Sequence, residues 1–573
     1  MAFQVSPGVN TSEIDLTTVI PAVASSTGAI AGPFQWGPVG VIRQVSNEIQ
    51  LVSSFGKPSN DANAAMFFTA ANFLAYTGDL RVVRAANAAT YTAYANLKST
   101  SSLSNKQIKS EEDYDQNLTQ QSLAGSCFGA RYPGSLGNSL QVSIWANTTV
   151  AMNTWTYSSL FDKAPNTSNY ILTNFNNYAK DELHLVVVDT TGAISGVANT
   201  VLEKYAGLSK ATNAKDENGQ SLYYKDVLFR KSKYIYHTGF PEDVGGATTK
   251  WGVAANNAYV FTDMRSTDNA FSFINGTDVA PTNSDVLAAY GPFKNSENVD
   301  ISLVMTGNHN SAVQIDVIDN LVGVRKDCVA FISPTLTDVQ GADPTSALVT
   351  YRTSTLNRSS SYTMMDSGWK YQYDKYNDVY RWVPLNGDIA GLCARTDTDR
   401  DPWWSPAGLS RGQIKNVIKL AYNPTKANRD ELYKNDINPV VSFPGEGTIL
   451  YGDKTMQGRP SAFDRINVRR LFIVLEKSIS KAARSSLFEF NDEFTRAQFV
   501  NLVEPFLRNV QGRRGIYDFR VVCDESNNTP EVVDRNEFVG DIYIKPAKSI
   551  NFIQLNFVAV RSGVAFEEVV GKF

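Results

Sequence analysis

The segment from residue 467 to residue 573 constrains the fold most, because two helices, three extended runs and a tail are predicted within it. The first helix is expected to begin near Arg470, and Asn491-Asp492-Glu493 supplies an N-cap and an acidic first turn for the second. Pro505 is expected to kink the second helix, and Gly512 to end it. Apolar residues recur along both helices at spacings of three and four, at Leu475, Ile479, Ala483, Leu487, Phe494, Ala497, Val500, Val503, Leu507 and Val510.

The charged residues of these two helices are of both signs and are predicted to lie off the apolar seam. A solvated face explains such a pattern, and so does a face laid against another protein. The second interpretation gives a set of candidate contact residues. They are Lys481, Arg484, Asp492, Glu493 and Arg496.

The extended runs after the helices are too long and too bare to be completed within one molecule. Tyr517–Asp524 alternates, and Phe538–Lys545 and Ser549–Val560 are predicted as long strands joined at Pro546-Ala547. A lone hairpin is marginal in water, and its edges recruit further strands, which both chain ends could supply. The residues predicted to take part in strand exchange between subunits are Phe3, Val5, Val9, Phe538, Ile542, Ile544, Phe552, Leu555, Phe557, Phe566 and Val569. The pattern therefore indicates a polymer subunit.

Composition narrows the class further. A chain of 573 residues exceeds one core, so two to four domains are expected. With 53 basic and 57 acidic residues the net charge is -4, which argues against direct wrapping of nucleic acid. A charged fraction of 19% fits a surface largely covered by copies of the chain. The four cysteines form no CxxC motif and are expected as buried free thiols, and neither a signal peptide nor a membrane span is predicted.

No catalytic, metal-binding or cofactor-binding constellation survives inspection of the sequence. Gly447–Thr455 nearly spells a phosphate-binding loop, but Asp453 precedes Lys454 and the segment is predicted as a strand. Asp397–Asp401 has calcium-loop spacing without the required Gly and Glu, so a polar turn is expected. The aromatic stretch Trp369–Trp382 could stack bases or sugars, and a half-buried hairpin turning at Asn377-Asp378 is the preferred interpretation. An enzyme is not predicted.

Nine short blocks of the sequence form a recognisable series. They are SPGVNTSEID, GAIAGPFQWGPVG, Phe55–Pro58, Arg131–Asn138, Gly387–Gly408, Gly445–Thr455, Asn467–Leu471, Phe488–Asp492 and Cys523–Pro530. Together they resemble contractile phage tail sheath proteins of the T4-like myovirus type. Two blocks depart from the family pattern, one with Tyr451 for Trp and Lys454 for Arg, and the other with Phe490 for Pro. The resemblance touches nearly the whole chain and is sparse between about residues 90 and 300.

The resemblance implies an α+β multidomain fold. It comprises an inner α/β core, two C-terminal helices, a long β-hairpin, terminal arms that exchange strands, and an outward β-rich insertion. The expected segments are an N-terminal arm 1–23, an inner or middle part 24–90, an outer insertion 91–300, a middle domain 301–400, a tube-facing domain 401–560 and a C-terminal arm 561–573.

The function that the resemblance implies is that of a structural subunit in a contractile tail sheath. The sheath would be a helical homopolymer of rings, expected as hexamers, that surrounds a tail tube and drives it through the host envelope for genome delivery. Further expected partners are baseplate and tail terminator proteins. The expected location is the virion, after assembly in the host bacterial cytoplasm.

Two other functions stay open on the sequence alone. One is the sheath of a contractile secretion or bacteriocin-like device, which would share the fold. The other is a carbohydrate-binding fibre or adhesin, suggested by the Asn- and Thr-rich segment between residues 91 and 300.

Overall fold

The computed structural model describes residues 23–59, 61–95, 106–117, 126–175, 178–240, 251–264, 270–551 and 554. This described chain divides into two compact units. The larger unit contains the described residues of 23–402 and 406–478. The smaller unit contains 403–405 and the described residues from 479 onward. The expected mixed α and β content is confirmed.

The elements follow in chain order. Up to residue 95 they are β1 (Gly28–Pro33), β2 (Arg43–Val45), α1 (Glu48–Phe55), α2 (Asp61–Leu74), β3 (Leu80–Ala85) and β4 (Tyr94–Ala95). Those up to residue 274 are α3 (Glu111–Asn117), β5 (Phe128–Ala130), β6 (Leu140–Trp145), α4 (Asn169–Phe175), β7 (Glu182–Asp189), β8 (Thr200–Ser209), α5 (Tyr224–Lys231), β9 (Ile235–His237) and β10 (Ala270–Ile274).

The next elements up to residue 399 are α6 (Asn283–Tyr290), β11 (Leu303–Met305), α7 (Ser311–Asp316), α8 (Gly323–Arg325), β12 (Val329–Ile332), α9 (Leu336–Gln340), α10 (Pro344–Thr350), β13 (Thr363–Asp366), β14 (Trp369–Asp374), β15 (Val379–Pro384) and α11 (Asn386–Asp399). The last are β16 (Lys419–Leu420), α12 (Lys426–Lys434), β17 (Ile437–Asn438), β18 (Val440–Phe443), β19 (Gly447–Leu450), α13 (Ile466–Ala483), α14 (Glu493–Gly512), β20 (Ile516–Val522), α15 (Pro530–Asp534) and β21 (Asp541–Pro546). Two π-helical turns follow α7 and α10, at Val317–Val322 and Tyr351–Leu356.

The first sheet of the larger unit has the strand order β17-β13-β12-β11-β1-β3-β2. All neighbouring strands are parallel except β2 and β3. The apolar sequences of β1 and β12 are buried along their length, as strands covered on both faces require. The strand order reverses between β1 and β11, which makes this a doubly wound sheet with a topological switch point there.

The chain between β3 and β11 forms a second sheet, whose strands are antiparallel. Its order is β8-β7-β6-β10-β4-β5-β9. Side chains such as Phe128, Leu185 and Trp251 fill its core. The turn-rich sequence between β3 and β11 thus forms a sheet of its own, while its outward position in an assembly stays a prediction.

A third, smaller sheet contains the aromatic hairpin. β14 pairs with β15 in the register Tyr371↔Trp382 and Tyr373↔Tyr380, and β16 adds to β14. The chain turns between Asp374 and Val379, so the hairpin and its predicted turn are confirmed. The strand predicted at Gly447–Thr455, in place of a phosphate-binding loop, is present in its first part as β19. The polar turn expected from Asp397 is wrong at its start, because Asp397 and Asp399 lie in the last turn of α11.

Helices α2 and α11 approach each other closely at two glycines of α11. A Cβ atom built at Gly387 would overlap the backbone carbonyl of Thr69, and one built at Gly391 would overlap the ring of Tyr76. A backbone atom cannot move aside as a flexible side chain can. Gly387 and Gly391 therefore allow α11 to pack closely on α2 and on the residues just after it.

The Gly387→Ala substitution is expected to lower the free energy of unfolding by about 1–3 kcal/mol, because α2 must shift to admit the methyl group. Gly291→Ala is the matched control. A Cβ atom at Gly291 meets nothing within 4 Å, and its φ of -49° suits alanine. Urea unfolding of both variants checks this expectation, and equal midpoints would contradict it.

The smaller unit contains α14, β20, α15 and β21. The Asp492 carboxylate caps α14 by accepting a hydrogen bond from the Thr495 backbone N–H at 2.8 Å, and the helix ends at Gly512. Both predicted ends are therefore confirmed, and the helix is continuous through Pro505. Helix α13 begins at Ile466, four residues before the predicted Arg470.

Candidate assembly surface

The smaller unit presents a two-stranded antiparallel ribbon. β20 pairs with β21 in the register Phe519↔Ile544 and Val521↔Ile542. Strand β20 also contacts α14, which covers part of the ribbon. In the part of the chain that the structure describes, no third strand joins this ribbon. Each of its strands therefore has one edge whose ladder positions no described strand fills.

The structure shows one strand pairing that the sequence did not predict. Strand β21 pairs with β20, which is the run predicted at Tyr517–Asp524. The connecting segment from Asp524, which includes α15, returns the chain antiparallel to β20. Residues 549–551 contain no strand, and most of the predicted run to Val560 lies outside the described residues.

Three of the predicted strand-exchange residues fall in the described chain. Ile542 and Ile544 lie in β21 with half-buried side chains. Phe538 lies before β21, where its ring packs against that of Phe499 at 5.5 Å between centroids. The other predicted residues lie outside the described residues: Phe3, Val5, Val9, Phe552, Leu555, Phe557, Phe566 and Val569.

Four of the five predicted charged contact residues are exposed around the connection from α13 to α14: Lys481, Arg484, Asp492 and Glu493. The fifth, Arg496, was predicted off the apolar seam, and this is wrong because its exposed fraction is 9%. The Arg496 guanidinium donates a hydrogen bond to the Asn491 side-chain oxygen at 2.9 Å. It therefore fastens the connection to α14.

The same connection exposes large apolar side chains. The exposed fractions are 63% for Leu487, 105% for Phe488, 83% for Phe490 and 71% for Phe494. The prediction that Leu487, Phe494 and Ala497 lie on the buried seam is therefore wrong. We call residues Leu487–Phe494 the aromatic turn. The N-cap at Asp492 could have indicated this exposure from the sequence, because it leaves Phe488 and Phe490 outside both helices.

The switch point of the parallel sheet, where doubly wound folds bind ligands, is filled by the chain's own side chains. A Cβ atom at Gly32 would lie 2.7 Å from the Met66 methyl group, so Met66 occupies the space beside β1. The Asn386 amide bonds both backbone groups of Gly307, at 2.8 and 3.0 Å. The His309 ring lies 2.8 Å from the Ala31 carbonyl oxygen. These contacts indicate that the switch point is part of the packed core.

Burial shifts the pKa values of two groups at this edge. It lowers the pKa of His309 to about 4, against a weaker opposing effect of the Ala31 carbonyl. It raises the pKa of Asp366 to about 8, although the Ser333 hydroxyl and the Gly368 N–H donate hydrogen bonds to the carboxylate. Among the described residues, no group of three or more His, Cys, Asp or Glu could hold a metal ion.

Protonation of His309 is expected to oppose folding of the larger unit. The unfolded ring takes up its proton near pH 6.5 and the folded ring only near pH 4, so the contribution of His309 to stability falls as the pH drops through this window. The raised pKa of Asp366 contributes a change of opposite sign, and the His309→Gln variant separates the two. The loss is about 1.4 kcal/mol per pH unit. His309→Gln is expected to reduce the slope by that amount, measured by denaturant unfolding between pH 7 and pH 5. An unchanged slope would show that His309 does not carry the effect.

In the described part of the chain, the unfilled edges of the ribbon and the exposed connection are surfaces of the kind that assembling proteins present. Within the described residues, no helix combines the length and the apolar character that a membrane span needs. Three family models match the chain: the phage tail sheath protein central domain over residues 280–456, the phage tail sheath C-terminal domain over 459–559, and the tail sheath protein Gp18 domain III N-terminal region over 25–85.

Curated relatives match over almost the whole chain. The tail sheath protein of Vibrio phage KVP40 is 36% identical, and the alignment covers 99% of each chain. The tail sheath protein of Enterobacteria phage T4 is 34% identical, again with 99% of each chain covered. The chain therefore belongs to the phage tail sheath protein family, and its predicted role as a tail sheath subunit is confirmed.

Solved structures share the fold at low sequence identity. The sheath tail protein of Desulfitobacterium hafniense has a TM-score of 0.54 at 11% identity, with 94% of this chain and 100% of that chain covered. The sheath tail protein Lin1278 of Listeria innocua has a TM-score of 0.53 at 10% identity, with 92% and 96% covered.

Proposed function

We propose that this tail sheath protein polymerises as stacked rings around a tail tube, and that neighbouring copies are joined by strand exchange. The ribbon of β20 and β21, whose outer edges no described strand fills, is the observation that carries this proposal. An added strand would satisfy backbone groups along the ribbon edge, and the alternating side chains of the strand would set its register. The sequences on either side of the described chain, before Val23 and after Gln554, are the proposed donors.

Strand exchange suits a sheath whose subunits rearrange without dissociating. The backbone links hold neighbours together while each compact body moves as a rigid unit. Contraction is then driven by the tighter packing of bodies in the second arrangement. The tube is pushed through the host envelope as the sheath shortens, and the rings are proposed to be hexameric.

The tube is proposed to contact the exposed charges beside the connection from α13 to α14, at Lys481, Arg484, Asp492 and Glu493. Exposed ion pairs contribute about 0–1 kcal/mol each and are screened by salt. A contact built from such pairs holds the sheath in register and yet releases the tube when it slides. Baseplate and terminator proteins are proposed to cap the two ends of the sheath in the virion.

Electron microscopy of the purified chain, with and without its tube protein, tests the proposal. The unaltered chain is expected to form striated cylinders, and tubes are expected to set their length. The Lys481→Glu/Arg484→Glu variant is expected to form cylinders alone but to cover tubes poorly, because two favourable charges become repulsive. Full covering of tubes by this variant would contradict the tube contact, and absence of cylinders from the unaltered chain would contradict the function.

The phage context is favoured over a secretion or bacteriocin-like device, because the high-coverage relatives are all named as phage proteins. The alternative of a carbohydrate-binding fibre has no support from the family matches, which include two tail sheath domains over residues 280–559.

A further inference from the structure

The aromatic turn contains the two most exposed large apolar side chains among the described residues of the smaller unit, Phe488 and Phe490. Four large apolar side chains, each more than 60% exposed, are concentrated in eight residues. A buried phenylalanine removes about 150–250 Å² from water, so the four side chains together expose an apolar area of about 400–600 Å². The largest apolar patch on a typical monomer is about 300–600 Å² and is often functional.

The turn is held in place by hydrogen bonds at its base. The Asn491 side-chain N–H groups donate to the Glu537 carbonyl oxygen at 2.8 Å and to the Asn528 side-chain oxygen at 3.1 Å. Arg496 donates to the Asn491 side-chain oxygen, and Asp492 caps α14. The aromatic side chains are thus presented on a fixed frame, which lowers the entropy lost when a partner binds.

The backbone of the turn is strained at its most exposed residue. Phe488 has a φ of 70°, in the left-handed region that an aromatic residue rarely adopts. Strain of this kind persists only where the surrounding structure imposes it, and it is concentrated at functional sites. The strained backbone places the Phe488 ring in solvent, where the isolated chain gains nothing from it.

The charges around the turn have the arrangement of an interface rim. Lys481, Arg484, Glu489, Asp492 and Glu493 are exposed on either side of the apolar side chains. Interfaces between proteins combine an apolar centre with a polar rim, and aromatic residues are enriched at their centres.

We infer that the aromatic turn docks on a second copy of this chain and forms a lateral contact that persists when the sheath contracts. The inference rests on the proposed function. The apolar area supplies more than half of the roughly 800 Å² that one partner contributes to a stable interface. A contact of that strength suits a neighbour that stays bound, whereas the sliding tube requires the weak charged contact. The apolar side chains of the turn are therefore assigned to the neighbouring copy, whereas Lys481 and Arg484, which precede the turn, belong to the proposed tube contact.

The test uses the full chain with Phe488→Ser, Phe490→Ser and Phe494→Ser combined. These side chains are exposed, so the melting temperature is expected to match that of the unaltered chain. The concentration needed for cylinder formation without tube protein is expected to rise at least tenfold, measured by light scattering and electron microscopy. Phe490→Ser alone, with a smaller rise, provides a second measurement if the triple variant is unstable.

The matched controls are Tyr178→Ser, which removes another aromatic ring that is 77% exposed, and Lys481→Glu/Arg484→Glu, which alters only the rim. Both are expected to assemble alone at the concentration that the unaltered chain needs. Unchanged tube-free assembly of both the triple variant and Phe490→Ser would overturn the inference. So would a defect of the triple variant seen only with tubes, because the turn would then contact the tube. Failure of the unaltered chain to assemble is the separate outcome that contradicts the proposed function.

Discussion

Deletion of residues 1–20 is expected to abolish cylinder formation and to leave a folded chain. The ribbon of β20 and β21 has open edges among the described residues, and the proposed donor at the N-terminus would be missing. Each shared backbone hydrogen bond contributes about 0.5–1.5 kcal/mol net. Five such bonds give about 2–8 kcal/mol per junction, which corresponds to a factor of about 10²–10⁵ in the association constant.

Sedimentation and electron microscopy measure the loss of cylinders. The deleted segment precedes the described body, which begins at Val23, so the melting temperature of the truncated chain is expected to stay unchanged. A chain whose first 20 residues are replaced by a Gly/Ser-rich segment of equal length is the control for length, and it is expected to fail in the same way. Cylinders of normal length from either variant would refute strand exchange through the N-terminus.

Substitution of Asp388 by Asn is expected to lower the free energy of unfolding by about 3–5 kcal/mol, because it leaves a buried ammonium without its countercharge. The Lys370 Nζ atom lies 2.9 Å from the Asp388 carboxylate and 2.8 Å from the Lys415 carbonyl oxygen. Both partners are buried, with exposed side-chain fractions of 0% and 1%. Burial raises the pKa of Asp388 and lowers that of Lys370, and the attraction between the two charges opposes both shifts.

Asp366→Asn is the matched control for Asp388→Asn. Asp366 is also buried, but its pKa of about 8 makes it largely protonated at pH 7, so a neutral amide replaces a neutral acid. The amide cannot accept both the Ser333 and the Gly368 hydrogen bonds, so a loss of about 1–3 kcal/mol is expected, smaller than that of Asp388→Asn because no charge is left unpaired. Urea unfolding at pH 7 compares the two variants, and an equal loss would show that the charge of Lys370 is not the cause.

Replacement of both charged partners gives an independent check. Lys370→Met/Asp388→Leu removes the buried ammonium together with its carboxylate, and apolar replacements of buried pairs are often neutral or stabilising. The double variant is therefore expected to be more stable than Asp388→Asn alone. A larger loss in the double variant would show that packing dominates at this position.

Local signals in the sequence were sufficient where neighbouring residues decide the structure. The Asp492 cap, the end of α14 at Gly512 and the hairpin turning between Asp374 and Val379 are short-range features, and each was predicted correctly. The blocks that resemble tail sheath proteins also gave the family. They could do so because the order of the blocks along the chain distinguishes this family from a chance match.

Contacts between distant segments explain why some of those blocks matter. Arg470, in the block at the start of α13, forms a buried ion pair with Asp397 of α11. The same guanidinium donates hydrogen bonds to the carbonyl oxygens of Cys393 and Ser25. Two of the blocks and the segment before β1 thus meet at one side chain, which no spacing rule could have indicated.

The sequence by itself determined the helix caps, the hairpin, the absence of a recognisable catalytic motif and the family, because these depend on residues close in the chain or on their order. Only the tertiary structure decided which side of the first turns of α14 is buried, because a shift of one residue rotates a helix face by about 100°. Farther along α14, the predicted seam residues Val503, Leu507 and Val510 are buried. The tertiary structure placed Phe499 and Arg496 inside and Phe494 outside. It also paired β21 with β20, because strand pairing is settled by how the connecting segment returns and not by the strands' own sequences.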